Sequence, residues 1–191
     1  MDKYLCGCPR LRLEASLCGF RGIAISPIIS KVFEHCILDR FQTLFLSCDS
    51  QFGLKKGTGC RNAIYTVRNI VDKCIKGGET VNVCAIDLTK AYDKVNHNSL
   101  YMKLMKRDIP LQLLELLEDW LSDSLACVKW NSNWSHIFNI TLGVRQGSVL
   151  SPLLFAVYID DIGRLQNTVC YGITKTFVGL RAGTGLNRYG Y

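Results

Sequence analysis

At 191 residues, with 48% hydrophobic and 20% charged side chains, the chain has the composition of a folded globular protein, which excludes collagen-like, low-complexity or wholly disordered polymers. Its length suits one domain with room for a second small lobe, and is ample for a core. The net charge of +7 points mildly to an anionic partner, but residues 163–191 hold four basic side chains and no acidic one, so +4 of it lies in that stretch.

No run is long and apolar enough to span a bilayer; the best, 146–159, is too short and contains Gln146, Ser148, Ser151 and Pro152. Ten cysteines occur without a CxxC spacing, and Cys36, Cys74 and Cys84 stand inside apolar patterns. They read as reduced thiols packed like small hydrophobes, with neither a disulfide scaffold nor structural zinc. The start, Met1-Asp2-Lys3-Tyr4, lacks the apolar run of a secretion signal. An intracellular protein, nuclear or cytoplasmic, is expected.

Residues 1–19 show no clear period and read as a poorly defined leader. Ser26 is placed to cap a helix whose first position is Pro27. Ile28, Ile29, Val32, Phe33, Cys36, Ile37, Phe41, Leu44 and Phe45 then form an apolar face at helical spacing. A Gly- and Lys-rich loop, 51–59, leads into a second helix over 62–76 with Ala63, Ile64, Val67, Ile70, Val71, Cys74 and Ile75 inward, stopped by Gly77-Gly78. The run Thr80-Val81-Asn82-Val83-Cys84-Ala85-Ile86-Asp87 is short, apolar and β-branched, as expected of a buried strand. Helical spacing returns at Leu100, Leu104 and Met105, and again after Pro110 with Leu113, Leu114, Leu117, Trp120 and Leu121. Residues 126–130 and 134–140 read as strands around the turn Asn131-Ser132-Asn133. Residues 143–148 form a loop, and Ser151-Pro152 opens a last helix. Helices alternating with a few strands imply an α/β or α+β lobe.

Asp87 closes its strand. A carboxylate mounted there suits a hard divalent cation, which takes oxygen ligands; equally, it suits a cap for whatever follows. The surrounding run, Ala85-Ile86-Asp87-Leu88-Thr89-Lys90-Ala91-Tyr92-Asp93-Lys94-Val95-Asn96-His97, resembles the first catalytic motif of reverse transcriptases from non-LTR retrotransposons. Three further blocks resemble the same family in the same order: Arg21-Gly22-Ile23-Ala24-Ile25-Ser26 leading to Ser30-Lys31-Val32-Phe33-Glu34, Gln51-Phe52-Gly53 to Asn62-Ala63-Ile64, and Gly143-Val144-Arg145-Gln146-Gly147-Ser148 through Phe155. The flavour is that of jockey- or CR1-like elements.

The resemblance implies an α+β fold, a partial fingers-and-palm polymerase with fingers over 20–78, palm over 79–162 and the thumb missing. It implies an RNA template, a DNA primer and deoxynucleotides as partners, no membrane, no obligate protein partner, and Mg²⁺ as cofactor of the intact family. Asp87 matches the metal-binding carboxylate, and the Leu88 carbonyl matches an added ligand. Tyr92 matches the residue under the incoming sugar, or else is a core aromatic. Asp93 matches a support of the local turn. Gln146 and Gly147 match positions by the nascent base pair, and Arg21, Lys55, Lys56 and Arg61 are candidates for phosphate.

The family's second carboxylate cluster, Tyr-x-Asp-Asp, belongs on a strand-turn-strand. The string Tyr158-Ile159-Asp160-Asp161 instead continues the helix opened at Ser151-Pro152, so the helix reading is preferred for it. Downstream, Cys170-Tyr171-Gly172-Ile173 resembles the approach to the true motif, but no carboxylate follows, and 163–191 reads as an aberrant basic, Gly-rich tail. Three readings compete. The preferred one is a truncated, inactive reverse transcriptase domain; the others are a non-catalytic nucleic-acid-binding remnant and an active compact polymerase using Asp160 and Asp161.

Overall fold

The computed structural model describes residues 3–7, 22–53, 55, 57–162, 169–173 and 176–183. Among them the elements run β1 (Lys3–Gly7), β2 (Gly22–Ile25), α1 (Ile28–Phe41), α2 (Cys60–Lys76), β3 (Thr80–Asp87), α3 (His97–Met105), α4 (Leu111–Ser122), β4 (Leu125–Trp130), β5 (Asn133–Trp134), β6 (Phe138–Asn139), α5 (Ser151–Ile159), β7 (Val169–Ile173) and β8 (Thr176–Gly183). Single 3₁₀ turns stand at Gln42–Phe45 and Tyr92–Lys94. The class is α+β, as expected. The chain divides into two compact units, each made of two separate stretches: Met1–Leu46 with Lys90–Tyr158, and Ser47–Thr89 with Ile159–Tyr191. These divisions fall at other points than the sequence-based boundary at 78.

In the first unit, β1 runs antiparallel to β2 and parallel to β4, and β4 also pairs with β5 and β6. Leu113, Leu114, Leu117 and Leu121 recur at helical spacing and are all buried along one side of α4. They join Val95, Leu100, Leu104, Leu154 and Phe155 in the core. The Asn96 side chain accepts the Ser99 N–H at 3.0 Å and starts α3.

Helix α1 departs from expectation. The first half of its apolar stripe faces outward, with Ile28 81%, Ile29 67% and Val32 55% exposed, while Ile37 and Phe45 of that stripe are buried and Ser30 and Glu34 are buried with them. The inward face is set by the Glu34 carboxylate, which accepts hydrogen bonds from residues 148–150, so a polar requirement overrides the apolar stripe. Phe33 recovers some contact by stacking on Trp120 at 5.2 Å. Pro27, not Ser26, occupies the N-cap, and no side chain caps the helix.

In the second unit the sheet order is β3–β8–β7, antiparallel throughout, and α2 packs on β3 and β7. Ala63 is buried, with Val67, Ile70 and Cys74 half-buried behind it, but Ile64 and Ile75 are exposed. At 3.6 residues per turn both lie about 100° from the centre of the inward arc, which corrects their inward placement.

The stretch 163–191 also departs from expectation. It supplies β7 and β8; β8 pairs with β3 over its full length, from Thr80↔Gly183 to Asp87↔Thr176, and Phe177 and Leu180 are buried. Ladder hydrogen bonds need only backbone, and Gly172 and Gly179 hide the alternation that would mark the strands. Within the leader, β1 forms the strand between β2 and β4; the rest of it, and 184–191, lie outside the described residues.

Strand β3 is not buried. Val83 is 56% and Ile86 54% exposed, and around the β4–β6 hairpin Trp130, Trp134, Ile137 and Phe138 are exposed as well. Open apolar faces of this kind drive association. The isolated chain is expected to bind an apolar-surface dye and to associate with rising concentration in sedimentation runs; a dye-negative, monodisperse monomer at high concentration would contradict this. Among the described residues no helix is long and apolar enough to cross a membrane.

Candidate functional site

In the first unit the loop after β6 is fastened to the 3₁₀ turn that carries Tyr92. The Gly143 N–H donates to Val95 O and the Val144 N–H to Tyr92 O, each at 2.8 Å. Buried His97 places Nε2 2.7 Å from Gly143 O; a carbonyl only accepts, so that nitrogen carries the proton. Gly143 has φ +91°, and a Cβ there would lie 2.9 Å from Asp93 O. Sequence reasoning had no signal for His97 as the holder of this turn.

Tyr92 is half-buried, its ring stacked on Phe155 at 4.8 Å, and burial pushes its phenol above the usual tyrosine range. Gln146 accepts the Ala24 N–H on its carbonyl at 2.9 Å, and its amide reaches Asp93 Oδ1 at 3.4 Å. Gly147 follows with φ +106° and is exposed. Asp93, Arg145 and Gln146, with apolar Leu121, Ile140 and Leu142, line a cleft of about 270 Å³. The structure therefore gathers Tyr92, Asp93 and Gln146 around one loop. Arg145 is buried, its guanidinium 5.3 Å from the Trp120 ring; desolvation lowers its pKa and the charge of Glu34 opposes that.

In the second unit Asp87 ends β3, exposed, and accepts a hydrogen bond from the Thr176 hydroxyl at 2.9 Å, the residue directly across the strand pair. Leu88 follows, half-buried. Lys55 turns back on its own loop, donating to Cys48 O at 2.6 Å and meeting Asp49 at 3.4 Å. Arg61 is exposed in the first turn of α2; Arg21 and Lys56 lie outside the described residues. Gln51 bridges to β7: the Phe52 N–H donates to Gly172 O at 2.8 Å and the Gly172 N–H to Ser50 O at 2.9 Å. A Cβ on Gly172 would fall 1.8 Å from Gln51 Oε1 and 3.0 Å from the Phe177 ring, so an alanine there would have to turn the Gln51 side chain aside.

Tyr158 and Ile159 close α5, and Asp160 and Asp161 form the turn beyond it. Asp160 Oδ1 accepts the Cys48 N–H at 2.7 Å, and burial, then Asp160, push the Cys48 thiol up. Among the described residues no three His, Cys, Asp or Glu side chains gather as a metal-holding group. Asp87 belongs to no such group, so among the described residues the oxygen donors for a pair of hard cations, each of which takes about six, are not assembled there.

Residues 15–181 match the family model described as reverse transcriptase (RNA-dependent DNA polymerase). The chain belongs to the reverse transcriptase family. Among curated relatives, the probable RNA-directed DNA polymerase from transposon X-element of Drosophila melanogaster is 31% identical over 153 residues, 78% of this chain and 17% of that protein. The RNA-directed DNA polymerase from mobile element jockey of the same species is 29% identical over 151 residues, 75% of this chain and 16% of that protein. This reverse transcriptase chain thus spans about a sixth of the length of either relative. Two solved structures share its fold. Apo telomerase from Candida Tropicalis, truncated from the C-terminal domain, gives a TM-score of 0.63 at 15% identity over 94% of this chain and 43% of that one. Telomerase from the same organism with a fragment of telomeric RNA gives 0.66 at 12% identity over 95% and 36%.

Proposed function

We propose that this chain is part of a non-LTR retrotransposon reverse transcriptase and does not catalyse nucleotidyl transfer by itself. One observation carries the reading: Asp87 faces a hydroxyl, Thr176, across the sheet, and neither β8 beside it nor β7 beyond contains an Asp or Glu. In the intact family a pair of divalent cations, Mg²⁺, would supply charge at the primer hydroxyl and the leaving pyrophosphate. A single carboxylate leaves such charge and geometry unfixed. Each unit keeps positioning groups of its own: in the first, Tyr92 walled by Phe155 and the Gln146–Gly147 loop, suited to a deoxynucleotide on an RNA template with a DNA primer; in the second, the Leu88 carbonyl just past β3. The division into fingers over 20–78 and palm over 79–162 belongs to the same reading. So does an intracellular setting, in which Cys36, Cys48, Cys60, Cys74, Cys84 and Cys127, free in the structure, remain thiols.

Given a primed RNA template, deoxynucleotides and Mg²⁺, the purified chain is expected to extend no primer above background. Extension abolished by both Asp87→Ala and Asp161→Ala would overturn the reading in favour of a compact polymerase.

A non-catalytic nucleic-acid-binding role is the second reading. The outward face of α2 favours it, carrying exposed Arg61, Tyr65, Arg68 and Lys76, a stripe of cations around one aromatic suited to a strand's phosphates and a base. Basic stripes are also common on merely solvated helices, and Asp72 sits within this one, so it ranks second.

A further inference from the structure

We propose that Glu34 is the positioning residue for the Gln146–Gly147 loop, holding it by hydrogen bonds to the three residues that follow it. The proposal rests on the reading of this loop as the nucleotide-facing one. Glu34 is 0% exposed. Its Oε2 accepts the Ser148 hydroxyl at 2.7 Å, the Val149 N–H at 2.6 Å and the Leu150 N–H at 3.2 Å. These donors lie 114 to 116 residues away, and they are the groups that immediately precede α5. The Leu150 carbonyl opens that helix by accepting the Leu153 and Leu154 N–H groups, each at 3.0 Å. Glu34 thus acts as a remote cap at the positive end of α5.

Arg145 completes the device at the other side of the loop. Its Nη2 donates weakly to Trp120 O at 3.5 Å, its guanidinium lies over the Trp120 ring, and Glu34 favours its charge. Two buried opposite charges therefore bracket Gln146 and Gly147, Arg145 on the entry side and the Glu34 cluster on the exit side. Both bracketed residues are reached by few other restraints: Gln146 has the Ala24 N–H and a 3.4 Å contact to Asp93, and Gly147 is exposed. Removing the carboxylate would strand three donors, the half-buried Ser148 hydroxyl and Val149 N–H and the buried Leu150 N–H, and one buried cation, which a packed interior tolerates poorly.

The test compares Glu34→Ala, Glu34→Gln and Ser148→Ala in the full chain. Amide hydrogen exchange is followed at Ala24, whose N–H is held by Gln146 O, and at Val149 and Leu150, and fluorescence titration with a primed RNA–DNA duplex reports binding. In Glu34→Ala, exchange at all three should rise about a hundredfold while α4 amides stay at wild-type rates, as expected when local opening loses two or more hydrogen bonds. Duplex affinity should fall about tenfold. Glu34→Gln, whose amide oxygen still accepts these donors, should restore most of both; Ser148→Ala should give a smaller rise at the same three amides.

A purely helix-capping role predicts a different result: faster exchange at Val149 and Leu150 only, with Ala24 and duplex affinity unchanged. That result overturns the proposal, as does wild-type exchange throughout in folded Glu34→Ala. Should Glu34→Ala fail to fold, Glu34→Gln and Ser148→Ala decide: no change at Ala24 in Ser148→Ala overturns the proposal, and a graded rise there supports it. Failure of the wild-type chain to bind duplex would count against the nucleotide-facing reading alone, because the exchange measurement still decides the role of Glu34.

Discussion

Phe155→Ala is expected to destabilise the protein by about 3–5 kcal/mol, the range for deleting a fully buried aromatic ring. Phe155 is 1% exposed, and it is the ring on which Tyr92 stacks. The loss removes both transfer energy and the aromatic contact. Set against a total of about 5–15 kcal/mol for a typical domain, this leaves a marginal fold, with the melting temperature lowered by roughly 6–20 °C. Urea unfolding should show a lower midpoint at unchanged slope; a shift below about 1 kcal/mol would mean that the ring does not hold the core together.

A second readout tests the same contact. The folded state raises the Tyr92 phenol above its ordinary value of 10.0 because burial disfavours the phenolate. The associated stability is complete below that ordinary value and is lost as pH rises through the folded-state value. Opening the wall in Phe155→Ala should move the ultraviolet titration of Tyr92 back toward the ordinary range.

Gly143→Ala should be the next most damaging single change described here, at about 2–4 kcal/mol. Its φ of +91° is a conformation that side chains rarely adopt, and the added Cβ would meet Asp93 O at 2.9 Å, with Asp93 Cα and Tyr92 O at 3.0 Å. All three are backbone atoms of the turn to which Val144 is hydrogen-bonded, so relief requires moving that turn. Gly57 is the internal control. Its φ is +82° but nothing lies within 4 Å of a Cβ there, so Gly57→Ala should cost only the conformational part, about 1–2 kcal/mol. Equal losses in the two variants, measured by urea unfolding, would show that close approach at Gly143 is unimportant.

Much of the first unit was legible because its helices repeat apolar residues at 3.6-residue spacing and need no distant partner to define them. Helix α4, with Leu113, Leu117 and Leu121, is the plainest case. Asp87, Tyr92, Gln146 and Gly147 are site candidates through the resemblance alone; what the structure adds is that the segments carrying Tyr92 and Gln146 are hydrogen-bonded to each other. What stayed hidden depended on remote partners. The burial of Glu34 is decided by donors 114 residues away, so local periodicity turned α1 the wrong way. β7 and β8 were obscured by glycines, because pairing runs through backbone groups that leave no side-chain pattern. The tie between Thr176 and Asp87 spans 89 residues and has no local signature at all.

The interleaving of the two compact units bears on how such a chain is made. Strand β3 is complete once Asp87 has been synthesised, yet the strand that pairs with it begins 89 residues later. At about 5–20 residues per second on the ribosome, β3 waits roughly 4–18 s for its partner. A β-hairpin closes in about 1–10 μs, so the wait exceeds the time in which wrong pairings form by some five orders of magnitude or more. Throughout it, Val83, Cys84 and Ile86 stand on a strand with neither edge covered by β8. Birth order therefore leaves β3 dependent on a holding chaperone, and the yield of correctly paired chain should vary with translation speed between residues 88 and 183.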